Sequence, residues 1–127
     1  MASFMSSYSS QTYALLRIVT GLLFAHHGSQ KLLDFPIEAH AGMPEYITYV
    51  AGPIELIGGL LVLVGLFTTW AAFISSGLMA VAYWMVHGLN SLFPIENQGE
   101  LAVLYCFIFL LISANGSGIW SVDAARE

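Results

Sequence analysis

Four long apolar runs separated by short polar stretches organise the chain. The first extends from about Tyr13 to Lys31, is interrupted by Arg17 and ends in the polar string HHGSQK. The second, about Tyr46 to Phe67, holds Glu55 as its single charge, and the third, Trp70 to Leu89, contains no Asp, Glu, Lys or Arg. Gly99-Glu100 open the fourth, which runs from Leu101 to about Ala114. The runs are continuous rather than alternating, which selects helices over barrel strands. The first three are close to the roughly 20 residues that span a hydrocarbon core, whereas the apolar core of the fourth is shorter and is extended by glycines to Trp120. The pattern predicts helices over about 13–31, 46–67, 70–90 and 100–114. The expected fold is all-α, an up-and-down transmembrane four-helix bundle in a single domain of residues 1–127. The loop DFPIEAHAGMPE, with two prolines and three acids, has no place in hydrocarbon.

Composition agrees with a bilayer. The chain is 57% hydrophobic and 9% charged, with a mean hydropathy of +0.76, whereas soluble domains carry about 25% charged residues. Eight acids against three bases leave no polybasic patch, so nucleic acid and anionic headgroups are not expected partners. A lone cysteine, Cys106, excludes a dithiol pair within the chain. The N-terminus lacks the basic region of a signal peptide, so the first run reads as a retained span. Arg17 and Arg126, weighed against Lys31, favour the cytoplasm for both termini of a multi-pass membrane protein by a small margin.

Up-and-down topology gathers the polar residues. His26 and His27 at the end of helix 1, His87 and Asn90 at the end of helix 3, and Glu100 at the start of helix 4 all fall on one side. Glu55 lies nine residues into helix 2, about 13 Å deeper at the helical rise. Ionisable groups at such depth mark functional sites by default. Arg17, reaching from the other face, is the expected ion-pair partner of Glu55. Ser76, Ala80, Tyr83 and His87 follow a 4, 3, 4 spacing and share one inward stripe. If Arg17 faces inward, so does His27, while His26 points away. Gly21, Ala25, Gly28, Gly52, Gly58, Gly59, Ser76 and Ala80 are the small residues that let membrane helices approach closely. Each polar residue also has a plain structural reading as a hydrogen-bonded register key.

The strings LLRIVTGLLFAHHGSQKL, GPIELIGGLLVLVGLFTTWAAF, HGLNSLFPIENQGELAVLYCFIFLLI and GSGIWSVD closely resemble the DoxX family of small bacterial inner-membrane proteins. The resemblance covers roughly Leu15 to Asp123. Arg17, His26, His27, Gly28, Lys31, Glu55, Gly58, Gly59, His87, Asn90, Pro94, Glu96, Asn97, Gly99 and Glu100 stand where that family's motif residues stand. Thr69-Trp70 departs from the basic residue often found after GLFT. The resemblance implies a four-helix bundle and redox work. The family's name derives from a subunit ascribed to an archaeal quinol oxidase. Relatives include thiosulfate to quinone oxidoreductase subunits, and some members associate with superoxide-detoxifying and sulfur-transferring partners.

Three functions fit these residues. The first is the membrane subunit of a quinone oxidoreductase with a role in oxidative stress. In it Glu55, His27 and His87 carry protons, and Arg17, His26, His27, Tyr83, His87, Asn90 and Glu100 surround the ligand. Electrons would come from a soluble or membrane redox partner, since the chain holds no cysteine pair, iron–sulfur motif or flavin fold. A second is haem held by His27 and His87, or a divalent metal held by His26, His87, Glu55 or Glu100. A third is a non-enzymatic scaffold or assembly factor. A homo-oligomer is open under all three.

Overall fold

The computed structural model describes residues 3–127, and every element among them is helical. A 3₁₀ turn, Ser6–Tyr8, leads into α1, Ser9–Leu33. Helix α2 is Ile47–Val64, its first turn, Ile47–Ala51, being a π turn. Helix α3 is Thr68–His87 and closes with a second π turn, Tyr83–His87. The short α4, Pro94–Asn97, precedes α5, Glu100–Asn115, and α6, Val122–Ala125, lies near the C-terminus. Helices α2 and α3 are long and apolar enough to cross a membrane, while α5 is apolar but shorter.

Helix ends follow hydrogen bonding rather than the limits of apolar sequence. Helix α1 begins four residues before Tyr13 because its polar first turn satisfies itself, the Thr12 hydroxyl donating to the Tyr8 and Ser9 carbonyls. Helix α2 stops at Val64 instead of Phe67. Gly65 turns left-handed there (φ +73°), and the N–H groups of Gly65 and Leu66 both return 2.9 Å to the Leu61 carbonyl, a Schellman end. Helix α3 starts at Thr68 rather than Trp70 because a distant carboxylate caps it. Asp123 accepts the N–H groups of Phe67 and Thr68, each at 3.0 Å, and the Thr68 hydroxyl at 2.8 Å. The Asp123 N–H in turn donates to the Gly65 carbonyl at 2.8 Å, and Arg126 stacks 5.4 Å over the Phe67 ring. The C-terminal segment is thereby clasped to the α2–α3 turn.

Helices α1, α2, α3 and α5 run antiparallel in a ring, each touching two neighbours. Small residues bring α1 and α2 to backbone contact. A Cβ on Gly21 would lie 2.5 Å from Leu63 N, one on Gly59 would lie 2.5 Å from Ala25 N, and one on Gly28 would meet Leu56 N more closely still. Gly58 faces the Ser75 side chain of α3, and the Ser76 hydroxyl donates to the Cys106 carbonyl of α5 at 2.7 Å. Phe24, Tyr105 and Phe109 fill the centre, with the Phe24 ring 4.6 Å from that of Phe109. Polarity is inverted relative to a water-soluble fold. Arg17, Thr20, Ser29, Glu55, Ser75 and Ser76 are buried, whereas Leu22, Leu23, Leu60, Phe73, Leu104 and Phe107 face outward.

Two measurements test this packing. Gly28→Val should cost about 3 kcal/mol by overpacking. Gly77→Ala, with open space around it, should be neutral or gain up to about 1 kcal/mol; equal melting of the two variants in detergent would contradict the backbone contact. Burial works against ionisation of Asp123, but its hydrogen bonds to Thr68 and Phe67 outweigh that and hold the carboxyl below its ordinary value. A lowered folded value means the clasp contributes fully above the unfolded pKa of about 4 and is lost as pH falls through the lower one. Asp123→Ala should remove about 1 kcal/mol at pH 7. It should also flatten the acid limb of stability measured below pH 4.

Candidate functional site

The α1–α2 register decides which charges meet. Lys31, in the last turn of α1, lays its stem beside Gly52 and places Nζ 2.7 Å from Glu55 Oε2, with both side chains largely buried. The expected Arg17–Glu55 pair does not form. Arg17 is fully buried at the other end of the same seam. Its Nε donates to the Val62 carbonyl at 3.1 Å, Nη1 to Ile119 at 3.0 Å and to Ser117, and Nη2 to Trp120 at 2.7 Å. Val62 belongs to the last turn of α2, where the dipole is negative, and its carbonyl accepts the Gly65 N–H at 3.2 Å as well as the guanidinium. Four carbonyl dipoles replace the carboxylate, and Tyr13 adds a bond from its hydroxyl to the Gly116 carbonyl at 2.5 Å. Arg17 is thus far from the other predicted ligand residues in role and place.

His27, one turn before Lys31, meets Tyr105 of α5 edge-on at 6.0 Å between rings. Tyr105 stacks on Phe109 and packs against Phe24. His27 is half-buried and His26 exposed, in the azimuthal order the helix requires. The two histidines, with Gln30, Pro36 and Ile37, line an open hollow of about 140 Å³. Gln30 donates to the Glu38 carbonyl at 3.1 Å, and Asp34 accepts the Ala39 N–H at 3.0 Å. These two bonds hold the α1–α2 loop beside the hollow.

A second polar group forms where α3, α4 and α5 meet. The His87 Nδ1–H donates to the Asn97 carbonyl at 3.0 Å. In the neutral ring that bond leaves the lone pair on Nε2. Asn97 is buried; its amide donates to the Tyr83 hydroxyl and the Ser91 carbonyl, each at 3.0 Å, and its oxygen accepts the Gly99 N–H at 2.8 Å. Tyr83 and His87 therefore share one partner, Asn97. Asn90 is exposed and bonds back to the Val86 carbonyl, and Glu100 is exposed at the start of α5, so neither joins a buried cluster. Among the described residues no three His, Cys, Asp or Glu side chains converge as a metal site.

Lys31, Tyr105 and Asn97 are central here and were not among the expected ligand residues. Lys31 was legible as the i+4 neighbour of His27, and Tyr105 as the first member of a Tyr105, Phe109, Ile112 stripe. Asn97 ends the four-residue helix α4, too short for any periodicity to signal burial.

The DoxX family model matches residues 12–88. The chain belongs to the DoxX family. It is accordingly a membrane protein in contact with the lipid bilayer. A relative in Haemophilus influenzae, described as an uncharacterized protein, is 42% identical over 125 residues, covering 94% of this chain and 93% of the relative. The Bacillus subtilis protein "Putative oxidoreductase CatD" is 43% identical over 58 residues, 42% of this chain and 43% of that protein. No solved structure matches. The DoxX match takes in Arg17, His27, Lys31, Glu55 and His87, and ends before Asn97 and Tyr105.

A double-mutant cycle measures the ion pair at the heart of this DoxX site. Lys31→Met or Glu55→Gln alone leaves a buried partner uncompensated, and Lys31→Met should cost about 3–5 kcal/mol. The double variant should recover most of that loss. Additive losses in thermal unfolding would show that the two groups do not depend on each other.

Proposed function

We propose that this DoxX protein spans the bacterial cytoplasmic membrane four times, with both termini cytoplasmic, and serves as the membrane subunit of a quinone-linked oxidoreductase. The observation that carries the reading is the Lys31–Glu55 ion pair, buried one helical turn from the half-exposed imidazole of His27. A lipid-facing protein that keeps such a pair needs either a packing role or a proton-handling one. The neighbouring hollow and the ring of Tyr105 favour the second. Outward leucines and phenylalanines on all four long helices support four spans. Helix α1, at about 37 Å, exceeds a hydrocarbon core, and α5, at about 24 Å, approaches it with its flanking loops. The name of the Bacillus subtilis relative supports a redox role for the shared segment.

In this reading a quinone is the substrate, its head group in the hollow beside His27 and its tail along the apolar exterior. Two electrons from a partner subunit and two protons through this chain convert quinone to quinol. His27 hydrogen-bonds a ring carbonyl and delivers a proton to that oxygen as charge arrives. Glu55, held by Lys31, returns the proton to His27 across the low-dielectric interior. His87, with its Nε2 lone pair directed by the Asn97 bond, is the second exchange point.

Protein extracted with its native lipid should carry quinone, detected by mass spectrometry of the solvent extract. His27→Ala and Glu55→Gln should lower quinone reduction by membranes about 100-fold. An extract free of quinone, together with unchanged rates in both variants, would sink the proposal.

A further inference from the structure

The charges of this chain are distributed unequally between its two ends. Lys31 is cancelled by Glu55. Arg17 and Arg126 are matched in number by Asp123 and Glu127 around the C-terminal clasp. The acids left over, Asp34, Glu38, Glu45, Glu96 and Glu100, account for the whole net charge of −5. All five are exposed, and all lie in the α1–α2 loop or between α3 and the start of α5, at the end that holds the hollow. The same two connections carry apolar side chains that nothing covers. Leu92 and Ile95 are 80% and 78% exposed, and Phe35, Ile37 and Phe93 are each more than half exposed.

Insertion into lipid does not explain the three of these residues that adjoin an acid. Phe35 adjoins Asp34, Ile37 adjoins Glu38 and Ile95 adjoins Glu96, so sinking any of the three into hydrocarbon pulls a carboxylate toward it. An anionic bilayer surface repels the set as a whole. Apolar anchors ringed by charge of one sign have the anatomy of a protein interface with a hydrophobic centre and a polar rim. Such a rim recruits a face of opposite charge.

We propose that this end of the bundle is the docking surface for a protein partner whose own face carries lysines and arginines around an apolar centre. That this partner is the electron donor rests on the quinone-linked reading above; the docking itself stands on the surface. Docked there, the partner covers the hollow and lies next to His27 without having to enter the membrane.

The test places the photo-crosslinking residue p-benzoylphenylalanine at Ile37 or Ile95 of the full chain in living cells, with Val19 and Phe107 on the apolar exterior as controls. The expected product at the first two positions is an adduct with a protein of basic composition, identified by mass spectrometry. Glu38→Lys, Glu45→Lys and Glu96→Lys combined should lower its yield about tenfold, with expression and gel-filtration profile unchanged. Adducts with phospholipid, with a second copy of this chain or with an acidic protein overturn the proposal. So does the lack of any adduct, or a yield indifferent to charge reversal. Quinone content measured on the same membranes separates the two readings. A charge-dependent adduct without quinone leaves the docking standing and removes the redox role, and quinone without the adduct does the reverse.

Discussion

Backbone contact between α1 and α2 is the constraint on which the other placements depend. In a bilayer, lipid tails are as apolar as leucine, so helices associate through close packing and polar contacts rather than through hydrophobic expulsion. Gly21 and Gly28 of α1 against Gly59 and Gly52 of α2 satisfy that requirement twice along one seam. Two points of contact a full two turns apart leave no freedom to slide or roll. The register they impose sends Arg17 to the last turn of α2 and Lys31 to the first, beside Glu55. Which cation neutralises the buried glutamate is therefore set by four glycines that carry no charge.

The Arg17 site shows how a buried cation can be stabilised without a counter-charge. A carboxylate partner would itself lose hydration, and such a pair recovers that loss only with good geometry. Backbone carbonyls in the Gly116–Trp120 segment have no helical or sheet partners and need donors. The guanidinium fork supplies several at once, which is why arginine fits here and lysine, with its point charge, would not. One side chain thus closes α1, the end of α2 and the segment before α6. Asp123 completes the closure by capping α3 from α6 itself.

The all-helical class, the four longer helices and the inward direction of His27 were legible because they depend on periodicity within single segments, whereas the short α4 and α6 fall in stretches that carry no apolar run. The outward direction of His26 was legible for the same reason. The Arg17–Glu55 pairing failed because depth along a helix cannot reveal register against a neighbour. Only the shape complementarity of Gly21, Gly28, Gly52 and Gly59 decides that, and the glycines were readable as small residues but not as matched ones. Asn97 and Asp123 were beyond reach for another reason. Each is buried or bonded through chain segments distant in sequence or irregular in backbone, where neither helical period nor hydropathy applies.

The two ends of the bundle are held together differently. The Schellman turn at Gly65, the cap on Thr68 and the Arg17 carbonyl bonds all tie down the end that carries the C-terminus. At the opposite end, α2 begins and α3 finishes in π turns, Ile47–Ala51 and Tyr83–His87. A π turn admits an extra residue and weakens the hydrogen-bond ladder, an arrangement that recurs at functional sites. It changes the azimuth of every residue beyond it, so His87 is aimed at Asn97 by a backbone irregularity and not by helical period alone. Stability is thus concentrated at the clasped end. The end with the hollow and the histidines keeps the longer connections and the weaker ladders, which is the division of labour expected when one end must meet a ligand while the other holds the helices together.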